Sequence, residues 1–146
     1  MNKTFQISLL FIFVLVVTPI LVWANDLQNG IAAYKKGEYQ KAVDIFKPLA
    51  KQGNAKAQLE LGLLYEKGQG LAKDNKKAVK LYRLSAKKNN AKAQFKLGVA
   101  YYYGLEVIQD YKEAVKWFRL SADGGDVGGQ VNLGALYYHG QGVVQD

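Results

Sequence analysis

The 146-residue chain contains no cysteine and one histidine, His139. Without cysteine there is no disulfide framework, no thiolate metal site and no cysteine nucleophile. A lone imidazole cannot supply the two or three that most catalytic zinc sites use. The chain also lacks a G-x-S-x-G elbow, an H-E-x-x-H helix and a Walker-type G-x-x-x-x-G-K loop. Its acidic side chains are few, 12 against 20 lysines and arginines, and they form no paired constellation suited to acid-base work. These absences exclude most catalytic and metal-dependent classes, so we expect no enzyme, no catalytic residues, no metal and no cofactor. What the chain does have is charge of one sign, a net +8, and a strong internal period.

The segment Met1–Ala24 stands apart from the rest. Met1–Lys3 is a short basic start, Leu9–Val17 is an unbroken apolar run, Thr18-Pro19 breaks the helix, and Val22-Trp23-Ala24 suits a cleavage site. This pattern reads as a secretory signal peptide removed between Ala24 and Asn25, which predicts a periplasmic or secreted protein. The alternative is an N-terminal membrane anchor, since Phe5–Ala24 is about the ~20 residues a span needs. Pro19 and the polar Gln6, Ser8 and Thr18 argue against it. No cysteine follows the apolar run, so the N-terminus carries no lipid. Cleavage leaves 122 residues with 19 basic and 12 acidic side chains, a net +7. Such a chain must be stabilised by helix packing alone in an oxidising compartment.

Laying Ala55–Asn90 over Ala91–Asp126 gives 17 identities in 36, and a further shift of 36 aligns Val127–Asp146 with Ala91–Asp110 at nine of 20. A period of that length signals a repeat architecture. The recurring positions are Gln58, Gln94 and Gln130, then Leu61, Gly62, Tyr65, Gly68 and Asp74 with their equivalents one and two periods on. Each unit reads as a helical hairpin. Ala57, Leu61, Leu64 and Tyr65 form one stripe of a first helix, which Gly68-Gln69-Gly70 terminates. Asp74 stands at an N-cap, and Ala78, Val79, Tyr82, Ser85 and Ala86 form the inward stripe of a second helix. Asp110 and Glu113 make a capping box in front of the next second helix. Glycine inside a helix costs ~1 kcal/mol relative to alanine, so Gly62, Gly98 and Gly134 require a packing reason. We expect Gly62 and Ala78 to bring the two helices close, with Tyr65 and Tyr82 wedged around the contact.

The run Ala57 through Ala86, A-x-x-x-L-G-x-x-Y-x-x-G-x-G followed by D-x-x-K-A-x-x-x-Y-x-x-S-A, resembles the Sel-like repeat, a 36-residue relative of the tetratricopeptide repeat. The resemblance covers Ala55–Asp146. Glu106 departs from it at the second turn glycine, Leu81 at the position that keeps tryptophan in Trp117, and Lys88-Asn89-Asn90 at a terminal glycine. Upstream, Gly37, Tyr39, Ala42, Phe46 and Ala50 are similar to a tetratricopeptide-type hairpin with a turn about five residues shorter, in which Tyr34 and Phe46 would pack as Tyr65 and Tyr82 do. The resemblance implies an all-α fold, a right-handed α-solenoid of stacked antiparallel hairpins. Its units are a hairpin at 25–54, full repeats at 55–90 and 91–126, and a partial repeat at 127–146. Val127–His139 would then be a helix without a partner, exposing Val131, Leu133, Leu136 and Tyr137. A shortened chain, a dimer through this end, or completion by another protein would each account for it.

With the Ala57 stripe facing the paired helix, the 100° rule places Lys56, Glu60, Leu63 and Lys67 on another face. The equivalents are Lys92, Lys96, Val99 and Tyr103, then Gly128, Asn132, Ala135 and His139. In tetratricopeptide-like solenoids first helices line the concave side, so the resemblance makes Lys56, Glu60, Lys67, Lys92, Lys96, Tyr103, Asn132 and His139 the partner-binding groove. Lysines beside an exposed tyrosine suit an acidic or extended peptide. A third stripe, Leu59, Phe95 and Val131 with Glu66, Tyr102 and Tyr138, is expected to join successive repeats. The second helices carry Lys76, Lys77, Lys80, Arg83, Lys87, Lys88, Lys112, Lys116 and Arg119, a basic face for solvent or for an envelope or membrane surface. Nucleic acid does not suit an exported protein. The resemblance implies a protein-protein interaction or adaptor module of the bacterial envelope. Its alternatives are a periplasmic immunity protein against a secreted effector such as a lipase, and, remotely, a β-lactamase-like hydrolase.

Overall fold

The computed structural model describes residues 25–143. The expected signal peptide, with Ala24 at its cleavage junction, and the stretch 144–146 lie outside the described region. Among the described residues there are seven helices and no strand: α1 over 25–35, α2 Tyr39–Lys51, α3 Ala55–Lys67, α4 Asn75–Ala86, α5 Ala91–Tyr103, α6 Tyr111–Asp123 and α7 Val127–His139. From α2 onward each helix packs on the next in chain order, and α5 also touches α7. The result is a solenoid of stacked helical hairpins.

Local chemistry accounts for the boundaries. Asn54, Asn90 and Asp126, spaced by the period, each accept a hydrogen bond from the backbone N–H three positions on and open α3, α5 and α7. Asp74 does the same for α4. Gly68, Gly104 and Gly140 close the first helices with φ of +67°, +68° and +64°, a left-handed conformation that costs glycine nothing. Asp110 caps α6 through the N–H groups of Lys112 and Glu113, but the expected capping box is only half formed. The Asp110 N–H already donates to the Tyr101 carbonyl, and the Glu113 carboxylate instead accepts from Lys116 and the Trp117 indole.

The departures from the repeat pattern keep its backbone. Glu106 takes φ +55° where Gly70 and Gly142 stand at +72° and +71°, and Asn89 takes +60° where Gly53 and Gly125 stand at +90° and +85°. Asparagine tolerates that region, whereas glutamate is strained there. The turn between α1 and α2, residues 36–38, is four residues shorter than the turn at 68–74.

Three apolar clusters follow the chain. The first joins α1, α2 and α3 around Phe46, the second joins α3, α4 and α5 around Leu59, Tyr82 and Leu97, and the third joins α5, α6 and α7 around Phe118 and Leu136. The helical glycines explain the fit. A Cβ on Gly62 would lie 2.6 Å from the Tyr82 ring, and one on Gly98 would lie 2.6 Å from the Phe118 ring. The glycine therefore seats the ring itself. Tyr65 is half-buried and packs against both the first cluster and the second, which holds Ala78 and Tyr82. In the first hairpin Gly30 seats the Phe46 ring, while Tyr34 turns to Tyr39 with ring centroids 5.6 Å apart. Gly134 has nothing within 4 Å of a Cβ among the described residues.

Buried polar groups tie the helices together, the glutamines between units and the serines within them. The Gln58 and Gln94 amides donate to the carbonyls of Ala50 and Ala86 at 3.1 and 3.2 Å, tying each first helix to the end of the preceding second helix. Ser85 and Ser121, both fully buried, donate to the carbonyls of Ala55 and Ala91. These bonds explain why glutamine and serine recur at core positions, since a buried polar group without a partner is costly.

Candidate functional site

The first helices of three successive hairpins, α1, α3 and α5, together enclose a groove of about 500 Å³. Its walls carry Lys56, Glu60 and Lys67 from α3 and Lys92 and Lys96 from α5. From α1 come Ile31, Tyr34 and Lys35, which sequence reasoning did not place there. The signal was present in another register. Aligning Gly30 with Gly62, a shift of 32, puts Ile31 over Leu63 and Lys35 over Lys67.

Five lysines and one glutamate therefore face a common volume, with Ile31 and Leu63 as apolar lining. Three of the lysines have internal partners. Lys56 pairs with Glu60 at 2.9 Å, Lys67 donates to the Tyr34 hydroxyl at 2.8 Å, and Lys96 reaches Glu66 at 3.0 Å. The Tyr34 bond raises the Lys67 ammonium above its ordinary value. Lys35 and Lys92 make no ion pair among the described residues, leaving two exposed cations at the groove.

Glu66 is the hub beside this groove. It accepts from the Tyr82 hydroxyl and from Lys96, whose ammonium also lies 6.0 Å from the Tyr82 ring centre. Burial pushes the Glu66 carboxyl up, yet the bonds from Tyr82 and Lys96 and the charges of Lys96 and Lys67 outweigh it and hold the group low. Burial and the neighbouring carboxylate push the Tyr82 phenol up.

The remaining groove residues expected from the sequence lie outside this cavity. Tyr103 is 65% exposed and stands edge-on to Tyr102. Asn132 turns back to its own helix and donates to the Gly128 carbonyl at 2.8 Å. His139 is exposed and stands edge-on to Tyr138. Leu59 is buried in the second cluster and Phe95 stacks near Phe118, while Val131 is 65% exposed.

On the second helices the basic face is partly bonded internally: Lys77 to Asp74, Lys116 to Glu113, Arg83 to Tyr101 and Arg119 to Tyr137. Among the described residues no group of three or more His, Cys, Asp or Glu could hold a metal, and no helix is long and apolar enough to cross a membrane. The arrangement offers charge and shape for binding.

A family model described as the Sel1 repeat matches residues 55–90, 91–126 and 127–146. Among solved structures, the chain is similar to a Sel1 repeat protein from Oxalobacter formigenes, with 34% identity over 99% of this chain and a TM-score of 0.79. It is also similar to a protective antigen present in uropathogenic Escherichia coli strains displaying an SLR fold, with 38% identity over 85% of this chain and a TM-score of 0.78. The matches span 65% and 27% of those two proteins. No curated protein matches the chain.

Proposed function

The chain belongs to the Sel1 repeat family, whose members generally mediate protein-protein interactions, and from that premise we propose an exported, non-catalytic adaptor that captures an acidic protein segment along its first-helix groove. The observation that carries this is the convergence of Lys35, Lys56, Lys67, Lys92 and Lys96 on one groove against Glu60. Such an excess of one charge speeds encounter with an oppositely charged partner and disfavours a basic one. The apolar Ile31 and Leu63 give the bound segment a dry contact, and the lysine stems extend it.

The test is photocrosslinking in intact cells from a probe placed at Lys56, followed by mass spectrometry of the joined peptides. We expect crosslinks to a partner segment of net negative charge, lost in the double variant Lys35→Glu/Lys92→Glu while helicity by circular dichroism is kept. These two lysines are chosen because reversing Lys96 would set a carboxylate against Glu66 and disturb the fold. Crosslinks that survive the double reversal, or that go to basic segments, would overturn the groove.

A further inference from the structure

Next to the groove lies a second, smaller cavity of about 180 Å³ between α3, α4 and α5. Lys96 lines both spaces, and its partner Glu66 lines the smaller one. The lining of the smaller one is mainly apolar: Ala78, Val79, Val99, Ala100 and the exposed Leu105, with the Tyr82 ring. Polar groups, Glu66, Lys73, Asn75 and Lys96, also belong to the lining. The apolar part of this lining favours an aliphatic occupant, with the polar groups at its side.

The turn beside this recess is the one that departs from the repeat. A Cβ on Gly70 or Gly142 would lie 2.5 Å from the carbonyl carbon of Tyr39 or Tyr111, so those turns seat directly on the first residue of a second helix. In the intervening unit the same position is Glu106, which carries a Cβ, and the residue it would seat against is Asn75. Leu105 and Asn75 both line the recess.

We infer that this recess is a specificity slot that takes one aliphatic side chain of the bound segment, a deeper form of the groove function proposed above and dependent on it. Helical geometry sets the spacing. Lys92, Lys96 and Val99 lie on one stripe of α5, with Lys92 in the groove and Val99 in the slot. Seven residues of helix span about 10.5 Å, which three residues of extended peptide cover at about 3.3 Å each. The ligand class is therefore an extended segment with a carboxylate three positions from a leucine-sized aliphatic residue. Lys35 and Lys92 take the carboxylates, and the slot takes the aliphatic group.

The probe is a fluorescein-labelled Gly-Glu-Ser-Ser-Leu-Ser-Ser-Glu-Gly, which offers the spacing in both chain directions, measured by anisotropy at low salt against the full chain. Its controls replace Leu by Gln or both Glu by Lys. We expect the Leu peptide to bind about tenfold more tightly than the Gln peptide, the scale of burying one aliphatic side chain. That advantage should vanish in Val99→Phe, which fills the slot, and in Leu105→Trp at its exposed rim, which disturbs packing less. Equal affinity of the Leu and Gln peptides, with binding still lost in Lys35→Glu/Lys92→Glu, would overturn the slot and leave the groove standing. Equal binding of the lysine peptide, binding indifferent to the double reversal, or no binding of any peptide would overturn both.

Discussion

Glu66 shows how one side chain acquires a role from its neighbours. Its equivalents one and two periods on are Tyr102 and Tyr138, and the Tyr82 that donates to it is matched by Phe118. The Glu66–Tyr82–Lys96 cluster is therefore particular to one junction of an otherwise repeating molecule. Because the folded carboxyl sits below its ordinary value, the unfolded chain binds more protons through the acid range. The contribution is complete above the unfolded value of about 4.3 and is lost as pH falls through the folded one. Glu66→Gln should cost about 1 kcal/mol at pH 7, the scale of a half-exposed charged hydrogen bond after screening. Urea melts of both chains should show the difference shrinking from pH 5 to pH 3, and a difference constant over that range would show the cluster to be energetically idle. The residue type was visible in the sequence, but its partners were not, because Lys96 lies 30 positions away on another helix.

At the scale of the helix, the glycine in each first helix behaves according to what faces it. Gly98 lies against the Phe118 ring, so Gly98→Leu forces ring and helix apart, an overpacking that costs ~1–3 kcal/mol or more. Gly134, at the equivalent position, has open space among the described residues, and Gly134→Leu should be neutral or stabilising by up to ~1 kcal/mol through helix propensity. Thermal melts of the two variants should therefore move in different directions, with Gly98→Leu lower by roughly 5 °C or more. Equal losses would remove the seated ring as the reason for the glycine. Helix boundaries were legible from residue type and period alone: Asp74 and Asp110 at caps, Gly68 and Gly104 at ends. The caps Asn54, Asn90 and Asp126 carry the same signal one helix earlier. The first hairpin was less legible, because its shorter turn shifts α1 to an offset of 32 and hides the match of Gly30 to Gly62.

For the whole molecule, stacking replaces a single closed core. Each apolar cluster joins three successive helices, so stability builds from neighbouring units and a local change acts mainly on its own junction. Export is the whole-chain property we propose from the segment Met1–Ala24. Intact-mass analysis of the chain recovered from an envelope or culture fraction should give the mass of a protein starting at Asn25. The full-length mass there would favour the anchor.

The 36-residue period, the hairpin unit, the capping residues and the inward stripes were determined by the sequence alone, because each depends on residue type at fixed local spacing. The groove's lysine face on α3 and α5 also followed from helical geometry. Only the tertiary structure decided that α1 completes the groove, that Lys56, Lys67 and Lys96 are already partnered, and that Lys35 and Lys92 are not. It alone placed a recess behind Lys96. The physical reason is that these properties depend on distances between side chains on different helices. A periodic pattern says which face a residue occupies, whereas only packing sets which groups on facing helices come within a hydrogen bond.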